Sequence, residues 1–402
     1  MKNTIAALAK RGKEAGIQAA TLASQRKNFL LLEMAKALKK SARLIFKANA
    51  KDLKSARSKN LSPAFIDRLT LNEKRLNESI ASLKALAKLK DPVGEVVSRW
   101  RRPNGLFVAK VRVPLGVIGI IYESRPDVTV DTAALCLKSG NAVILRGGSE
   151  ALHSNTVLTA ILRGVLKRNG IDPNSIQTLP NISHEAIKTL LSMDQYIDLI
   201  IPRGGEKLMA MVRKLSKIPV IRHDKGVCHI FVDRDADLKM AEKIILNAKT
   251  QRPATCNAME CLLVDKKIAG RFLPPLLKNL KNKGVKVYSD EKFWGKEFLN
   301  LQLAVRVVKD MDQAMEHIRQ YGSLHTEAII TQNKKRAEKF LKEVLASVVL
   351  VNASTRLNDG YQLGLGAEVG ISTTKLHAFG PMGLEELTTT KFVVRGSGHL
   401  RE

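Results

Sequence analysis

Cysteine is scarce in this chain: four residues in 402, Cys136, Cys228, Cys256 and Cys261. That density is far below what a disulfide-dependent secreted fold uses, so the chain reads as the product of a reducing compartment. Long apolar runs are missing as well. No uninterrupted stretch approaches the ~20 residues of a membrane span, and the opening "MKNTIAALAKRGKEAGIQAA" has no hydrophobic signal core. These absences point to a soluble, cytoplasmic protein with no membrane partner. Aromatic residues make up only 4% of the chain, which bears on its most conspicuous positive feature, a formal net charge of +29. Such an excess would suit a protein that neutralises nucleic-acid phosphates. The lysines, however, are spread through stretches such as "KALKKSARLIFKANAKDLKSARSK" and "KNLKNKGVKV", on what read as solvated helix faces, with no aromatic stacking platform among them. Nucleic acid is therefore not the expected partner. A diffuse basic field favours anionic small ligands instead.

A chain of 402 residues is too long for one typical core and predicts two or three domains. Residues 1 to about 95 read as helices, because apolar residues recur three and four apart in "RKNFLLLEMAKALKKSARLIFKANAKDLKSAR" with charges between them. "WRRPNGLFVAKVRVP" has a Pro-Asn-Gly turn before an alternating segment and predicts a hairpin. From 113 onward short apolar runs alternate with helical patterns: "LGVIGIIY", "NAVILRGG", "YIDLIIPRGG" and "KIPVIRH" as strands, then "HIFVD", "CLLVD", "VKVYS", "LAVRVV", "EAIITQN" and "SVVLVN". Strand, tight glycine turn and helix is the unit of a doubly wound parallel sheet, which binds ligands at the carboxyl ends of its strands. A glycine-rich tail from 362 ends in the β-rich "TTTKFVV", and no internal repeat is visible.

Two glycine turns follow candidate strands and open helices: Gly147 and Gly148 in "LRGGSEA", Gly204 and Gly205 in "PRGGEKL". Free amides at a helix start can receive phosphate, yet neither turn matches GxGxxG and paired glycines are common at strand ends. Arg146 and Ser149 flank the first turn with a cation and a hydroxyl but no acid to grip a ribose. Cys256 sits in a polar loop after Pro253, where a nucleophile and an inert thiol are both open readings. A metal site at Cys256 and Cys261 is not expected, since neither their spacing nor a nearby histidine completes a ligand set. Cys261 adjoins "LLVD" and reads as strand packing, while Cys136 and Cys228 lie in apolar patterns. His223, His229 and His325 fall near strand ends, where structural roles are the commoner ones.

Taken in order, "VPLGVIGIIYESRPDVTVDTAALCLKSGNAVILRGGSEA", "DLIIPRGGEKL", "QRPATCNAMECLLVD", "HTEAIIT" and "LGAEVGISTTKLHAFGPMGLEELTTTKFVVRG" resemble the gamma-glutamyl phosphate reductase family of the aldehyde dehydrogenase superfamily, nearly end to end. The resemblance implies an α/β, aldehyde dehydrogenase-like fold: two doubly wound α/β domains plus a small β oligomerisation element. It implies an NADP-binding domain from residues 1–95, 113–227 and 362–387, a catalytic domain from 228–361, and the oligomerisation element from 96–112 and 388–402. The implied reaction is NADPH-dependent reduction of L-glutamyl 5-phosphate to L-glutamate 5-semialdehyde and phosphate through a cysteinyl thioester, a step of proline biosynthesis; a related acyl-phosphate or acyl-thioester reductase is the nearest alternative. By position, Cys256 matches the catalytic nucleophile and Arg125 falls by the oxyanion position. Arg146, Gly147, Gly148 and Ser149 match the adenosine ribose and 2′-phosphate site, Gly204 and Gly205 the pyrophosphate site, and Glu297 the acid that holds the nicotinamide ribose. A homo-oligomer, with glutamate 5-kinase as a working partner, is implied by the same resemblance. Three positions depart from the family's usual residues: Asp127 for asparagine, Cys261 for threonine and Phe379 for arginine. The glutamate that activates water in aldehyde-oxidising relatives falls at or near His223.

Overall fold

The computed structural model describes residues 2–179, 183–222 and 225–401, apart from the side chain of Ala64. The chain forms two compact units, one of Met1–Arg222, Leu365–Gly370 and Met382–Glu402, the other of His223–Gly364 and Ile371–Pro381. None of the helices is long and apolar enough to cross a membrane among the described residues.

The first unit opens with five helices, α1 (Lys2–Ala20), α2 (Ser24–Lys40), α3 (Ala42–Ser58), α4 (Pro63–Leu69) and α5 (Glu73–Lys88). Their starts obey local chemistry where polar caps are present: the Ser62 hydroxyl accepts from Phe65 N and the Asn72 side chain from Arg75 N. Next comes a hairpin of β1 (Val96–Arg101) and β2 (Phe107–Pro114), turned at Gly105 with φ +91°, as "PNG" predicts. β3 (Val117–Tyr122), α6 (Pro126–Lys138), β4 (Ala142–Arg146), α7 (Leu152–Arg168), β5 (Ile176–Thr178), α8 (His184–Leu191), β6 (Leu199–Arg203) and α9 (Glu206–Leu215) then build a four-stranded parallel sheet in the order β5-β4-β3-β6. Every residue of β3 is buried, as a strand covered on both faces must be. Ile5, Leu8, Ile187, Leu190 and Val212 of α1, α8 and α9 join its core. "KIPVIRH" makes no full strand. Only an isolated bridge joins Val220 to Ile200, because Pro219 has no N–H to continue a ladder.

The second unit contains β7 (Cys228–Val232), α10 (Leu238–Thr250), β8 (Met259–Asp265), α11 (Lys266–Asn282), β9 (Lys286–Tyr288), β10 (Gln302–Val308), α12 (Met311–Tyr321), β11 (Thr326–Ile330), α13 (Lys334–Glu343) and β12 (Val348–Val351). These strands form one parallel sheet in the order β12-β11-β7-β8-β10-β9. Side chains alternate strictly across it: Ile230, Leu262 and Val264 enter one core, Phe231, Cys261 and Leu263 the other. Pairing of β7 with β8 slips by one residue, from Cys228↔Met259 to His229↔Cys261, leaving Glu260 as a bulge. Glu260 is buried against Lys249 at 2.7 Å. A short β13 (Ile371–Ser372) and β14 (Gly380–Pro381) pair belongs to this unit. The chain returns to the first unit with β15 (Thr388–Arg395), which runs antiparallel to β2 from Thr388↔Pro114 to Arg395↔Phe107. The sheet β1-β2-β15 leaves Val96, Val97, Trp100, Phe392 and Val394 exposed.

Candidate active site

Between α10 and β8 the backbone makes consecutive turns, and Cys256 lies half-buried within them. One of these is a tight turn closed by Ala258 N donating to Thr255 O at 3.0 Å. Side chains from distant segments hold this loop. The Cys228 thiol, at the head of β7, donates to the Cys256 carbonyl at 3.1 Å and lies 3.6 Å from His325 Nδ1. Burial, and then Glu327 and Cys256, push the Cys228 thiol well above its ordinary range, so it stays protonated and remains a donor. His325 Nδ1 is 2.7 Å from Thr326 Oγ1, which also receives Asn358 Nδ2 at 2.7 Å. Asn257 Nδ2 donates to Asn358 O at 2.8 Å. Arg356 completes the frame, with Nη1 donating to Asn257 Oδ1 and Nε to Gln251 Oε1 at 2.9 Å.

Gly226 is the other boundary of the loop. A Cβ added there would lie 2.1 Å from the Cys256 carbonyl oxygen, a distance no side chain tolerates. The Gly226 N–H donates to Glu297 Oε1 at 2.9 Å, and Lys225 Nζ donates to Gly295 O at 3.0 Å. Glu297 and Cys256 are thereby joined through one glycine. Arg356 supplies the charge: burial, then neighbouring Arg252, lower its pKa, while Asp359, Cys256 and Cys228 pull it back up. A thiol coupled to Arg356, which itself neighbours Arg252, suits an acyl substrate that carries anionic groups. Phe379 is half-buried, with the Lys375 ammonium 5.8 Å from its ring centroid. His223 and Asp224, at the place of a hydrolytic base, lie outside the described residues.

In the first unit the two glycine turns differ. At Gly147 an added Cβ would meet Asn155 Nδ2 at 2.1 Å and Tyr122 at 3.0 Å, and at Gly148 Ser124 Oγ at 2.2 Å. Close packing of the protein on itself thus accounts for both glycines. At Gly205 an added Cβ would have nothing nearer than Glu123 Oε1 at 4.0 Å, and the Gly205 N–H donates to that same carboxylate at 3.0 Å. An anionic oxygen already stands at the start of α9, where a helix N-terminus favours it. A phosphate fits the same amide once the exposed Glu123 side chain, which also pairs with Arg68 at 3.4 Å, turns away. Arg146 ends β4 half-buried, and Ser149 is exposed with its hydroxyl donating to Glu150 Oε1 at 2.8 Å. Glu150 is the acid that reading the sequence passed over; Ser124 Oγ donates to its other oxygen at 2.6 Å. Arg125 caps α6 and pairs with Asp127 at 3.1 Å, so the acid that replaces the usual asparagine is neutralised locally.

Residues 3–295 match the sequence pattern of the Aldehyde dehydrogenase family. The chain is 54% identical to the gamma-glutamyl phosphate reductase of Geotalea daltonii, over 97% of each chain, and 52% identical to that of Thermodesulfovibrio yellowstonii, over the whole of both. It belongs to the aldehyde dehydrogenase family, on the gamma-glutamyl phosphate reductase branch. The crystal structure of the Thermotoga maritima member superimposes with a TM-score of 0.95 at 45% identity, covering 99% of this chain and 100% of that one. An acetylating aldehyde dehydrogenase from Geobacillus thermoglucosidasius shares the fold at a TM-score of 0.74 and 16% identity, covering 100% of this chain and 98% of that one. For a member of this family, the residues missed by sequence reading are those that frame the thiol: Gly226, Cys228, Asn257, Arg356 and Asn358. "STRLNDG", which puts an arginine and an asparagine just after a strand, was the available signal for two of them.

Proposed function

We propose that the protein reduces L-glutamyl 5-phosphate to L-glutamate 5-semialdehyde with NADPH, in proline biosynthesis. The observation that carries this reading is the half-buried Cys256 thiol, framed by distant side chains and electrostatically linked to Arg356. The names of its relatives supply the substrate. The Cys256 thiolate attacks the acyl carbon, the bond to the phosphate oxygen breaks, and inorganic phosphate leaves with that electron pair. The nicotinamide, when bound, supplies the hydride that the acyl carbon needs to become an aldehyde. Release of the aldehyde returns the electron pair to Cys256 sulfur. Arg356 and Arg252 receive the phosphate or carboxylate of the substrate, and Arg125 faces the acyl oxygen. Glu297, already aligned by Gly226, holds the nicotinamide ribose. Arg146, Gly147, Gly148 and Ser149 hold the adenosine ribose and its 2′-phosphate, and Gly204 and Gly205 the pyrophosphate. A kinase acting on glutamate must supply so labile a substrate. The exposed apolar strip on β1 and β15 is where copies of the chain join.

The test runs the reaction backwards with glutamate semialdehyde, NADP⁺ and phosphate. Water attacks a thioester slowly without a placed base, a loss on the order of 10² to 10⁴. Without phosphate, the expected result is a burst of about one NADPH per active site and then a near stall. Steady NADPH formation without phosphate, with free glutamate as product, would overturn the assignment in favour of a hydrolytic aldehyde dehydrogenase. No turnover under either condition, together with salt-dependent duplex binding, would favour a basic nucleic-acid-binding protein on this fold.

A further inference from the structure

One of the thiols that the reaction leaves unused stands in a constellation of its own. Cys261 on β8, His229 on β7 and His317 on α12 are each at most 1% exposed, and one donor atom from each lies within 4.8 Å of the others. The absence of a nearby histidine holds along the chain and fails in space. The bulge at Glu260 brings His229 and Cys261 into cross-strand register, and α12 lays His317 over them. Cys261 Sγ is 3.6 Å from His317 Nε2. His229 Nδ1 is 2.9 Å from Glu327 Oε2, and its other nitrogen, Nε2, is buried without a hydrogen-bond partner.

We propose that His229 Nε2, Cys261 Sγ and His317 Nε2 form a structural site for a thiophilic d¹⁰ cation, Zn²⁺ or Cu⁺. Two imidazoles and one thiolate suit both ions. With metal–nitrogen and metal–sulfur bonds of about 2.0 and 2.3 Å, a tetrahedral spread puts nitrogen and sulfur about 3.5 Å apart, close to the Cys261–His317 spacing. The Glu327 carboxylate behind His229 is the usual outer partner of a metal-bound histidine, fixing its ring and its tautomer. Simple strand packing does not call for two imidazoles and a thiol converging in one buried pocket, with His229 Nε2 lacking a well-formed hydrogen bond. Arg306 marks the unloaded form. Its Nη1 donates to His317 Nδ1 at 2.8 Å, which keeps the ring proton on Nε2. Ligation requires that proton on Nδ1, so Arg306 must swing away. Its guanidinium already rests on the Trp294 ring, 4.1 Å from the centroid, and its side chain is only half-buried. Burial disfavours and Glu327 favours a second proton on the His229 ring; on loading, that proton and the Cys261 thiol proton leave to solvent, and the thiolate and Glu327 carboxylate offset the charge of the ion. The ion would tie β7, β8 and α12 together one residue from Cys228, and takes no part in hydride or acyl transfer.

The experiment uses the full-length protein, exposed in separate arms to Zn²⁺ and, without oxygen, to Cu⁺, followed by desalting and metal analysis. About one ion per chain should remain in at least one arm, and which arm names the ion. A Co²⁺ titration should give thiolate-to-metal charge-transfer absorption. Both signals should disappear in Cys261→Thr and persist in Cys256→Ser, and Glu327→Gln should weaken affinity by roughly 10- to 100-fold. Should Cys261→Thr not fold, X-ray absorption of the metal-loaded wild type decides, one sulfur and two imidazoles at the metal being the required shell. Failure to retain either ion, retention unchanged in Cys261→Thr, or a shell without sulfur would each overturn the site.

Discussion

The glycine turns of the first unit and the cysteine loop of the second are built by opposite means. At Gly205 the feature proposed to receive an anion is backbone: an amide, a helix start and open space where a side chain would be, whereas a Cβ added at the neighbouring Gly204 would meet Leu208 at 2.9 Å. The Cys256 loop has little backbone support of its own and is shaped, partly through its own Asn257, by Cys228, His325, Asn358 and Arg356, which arrive from distant segments of the chain. A backbone site tolerates exchange of its surface side chains. A side-chain frame transmits every loss to the atom it holds. The two regions should therefore respond very differently to substitution.

The largest effect belongs to the thiol itself. Cys256→Ser should lower turnover by on the order of 10³-fold or more, since nothing else in the frame replaces the nucleophile. Cys261→Thr, five residues away in a buried strand, should keep most of the activity. Steady-state rates of the two variants side by side decide between the thiols: comparable activity in Cys256→Ser removes the nucleophile, and complete loss in Cys261→Thr exchanges their roles.

Arg356 comes next. Removing its charge in Arg356→Gln, whose amide ends near the place of the arginine Nε, takes away the support of Asn257 and the cation linked to Cys256 together. A charge-assisted hydrogen bond of this kind corresponds to roughly 1.5–3 kcal/mol, so kcat/KM should drop by on the order of 10²-fold. If the loss appears in KM alone, Arg356 binds substrate without placing the thiol.

Gly226→Ala is a sharper probe of the frame. Its Cβ would press the Cys256 carbonyl at 2.1 Å, and a peptide plane cannot yield as a side-chain tip can. A displacement approaching 1 Å at the reacting group costs up to about 10²-fold, so a loss between tenfold and 10² is expected with the protein still folded by circular dichroism. An active Gly226→Ala would show that the loop relaxes independently of β7.

The same contrast explains what could be read before the structure. The β1–β2 hairpin, the buried strands and the turns at 147 and 204 follow from short-range rules of period, turn residue and helix start, and the structure contains them. The failed strand at "KIPVIRH" turned on one proline in the ladder. The thiol frame and the His229–Cys261–His317 cluster were not legible, because each depends on which strands lie side by side and on a one-residue bulge. Parallel neighbours are set by crossover topology, which leaves no mark within a short window of sequence.

The smallest expected effect lies in the first unit and concerns choice between NADPH and NADH. Ser149 is exposed beside Arg146 at the end of β4, and its hydroxyl donates to Glu150. Glu150 has its other oxygen held by Ser124, so its carboxylate is fixed between two hydroxyls. Ser149→Glu would add a second carboxylate that nothing holds back. Facing a 2′-phosphate, that charge costs on the order of 1 kcal/mol or more when partly desolvated. The ratio of kcat/KM for NADPH over NADH should then fall about fivefold to tenfold, with NADH turnover nearly unchanged. A backbone-built site absorbs such a side-chain change without losing its shape, so the defect should be confined to the 2′ position. An unchanged ratio would put Ser149 outside the 2′ site; a matching loss with both cofactors would mean that this turn, like the cysteine loop, depends on its side chains for its form.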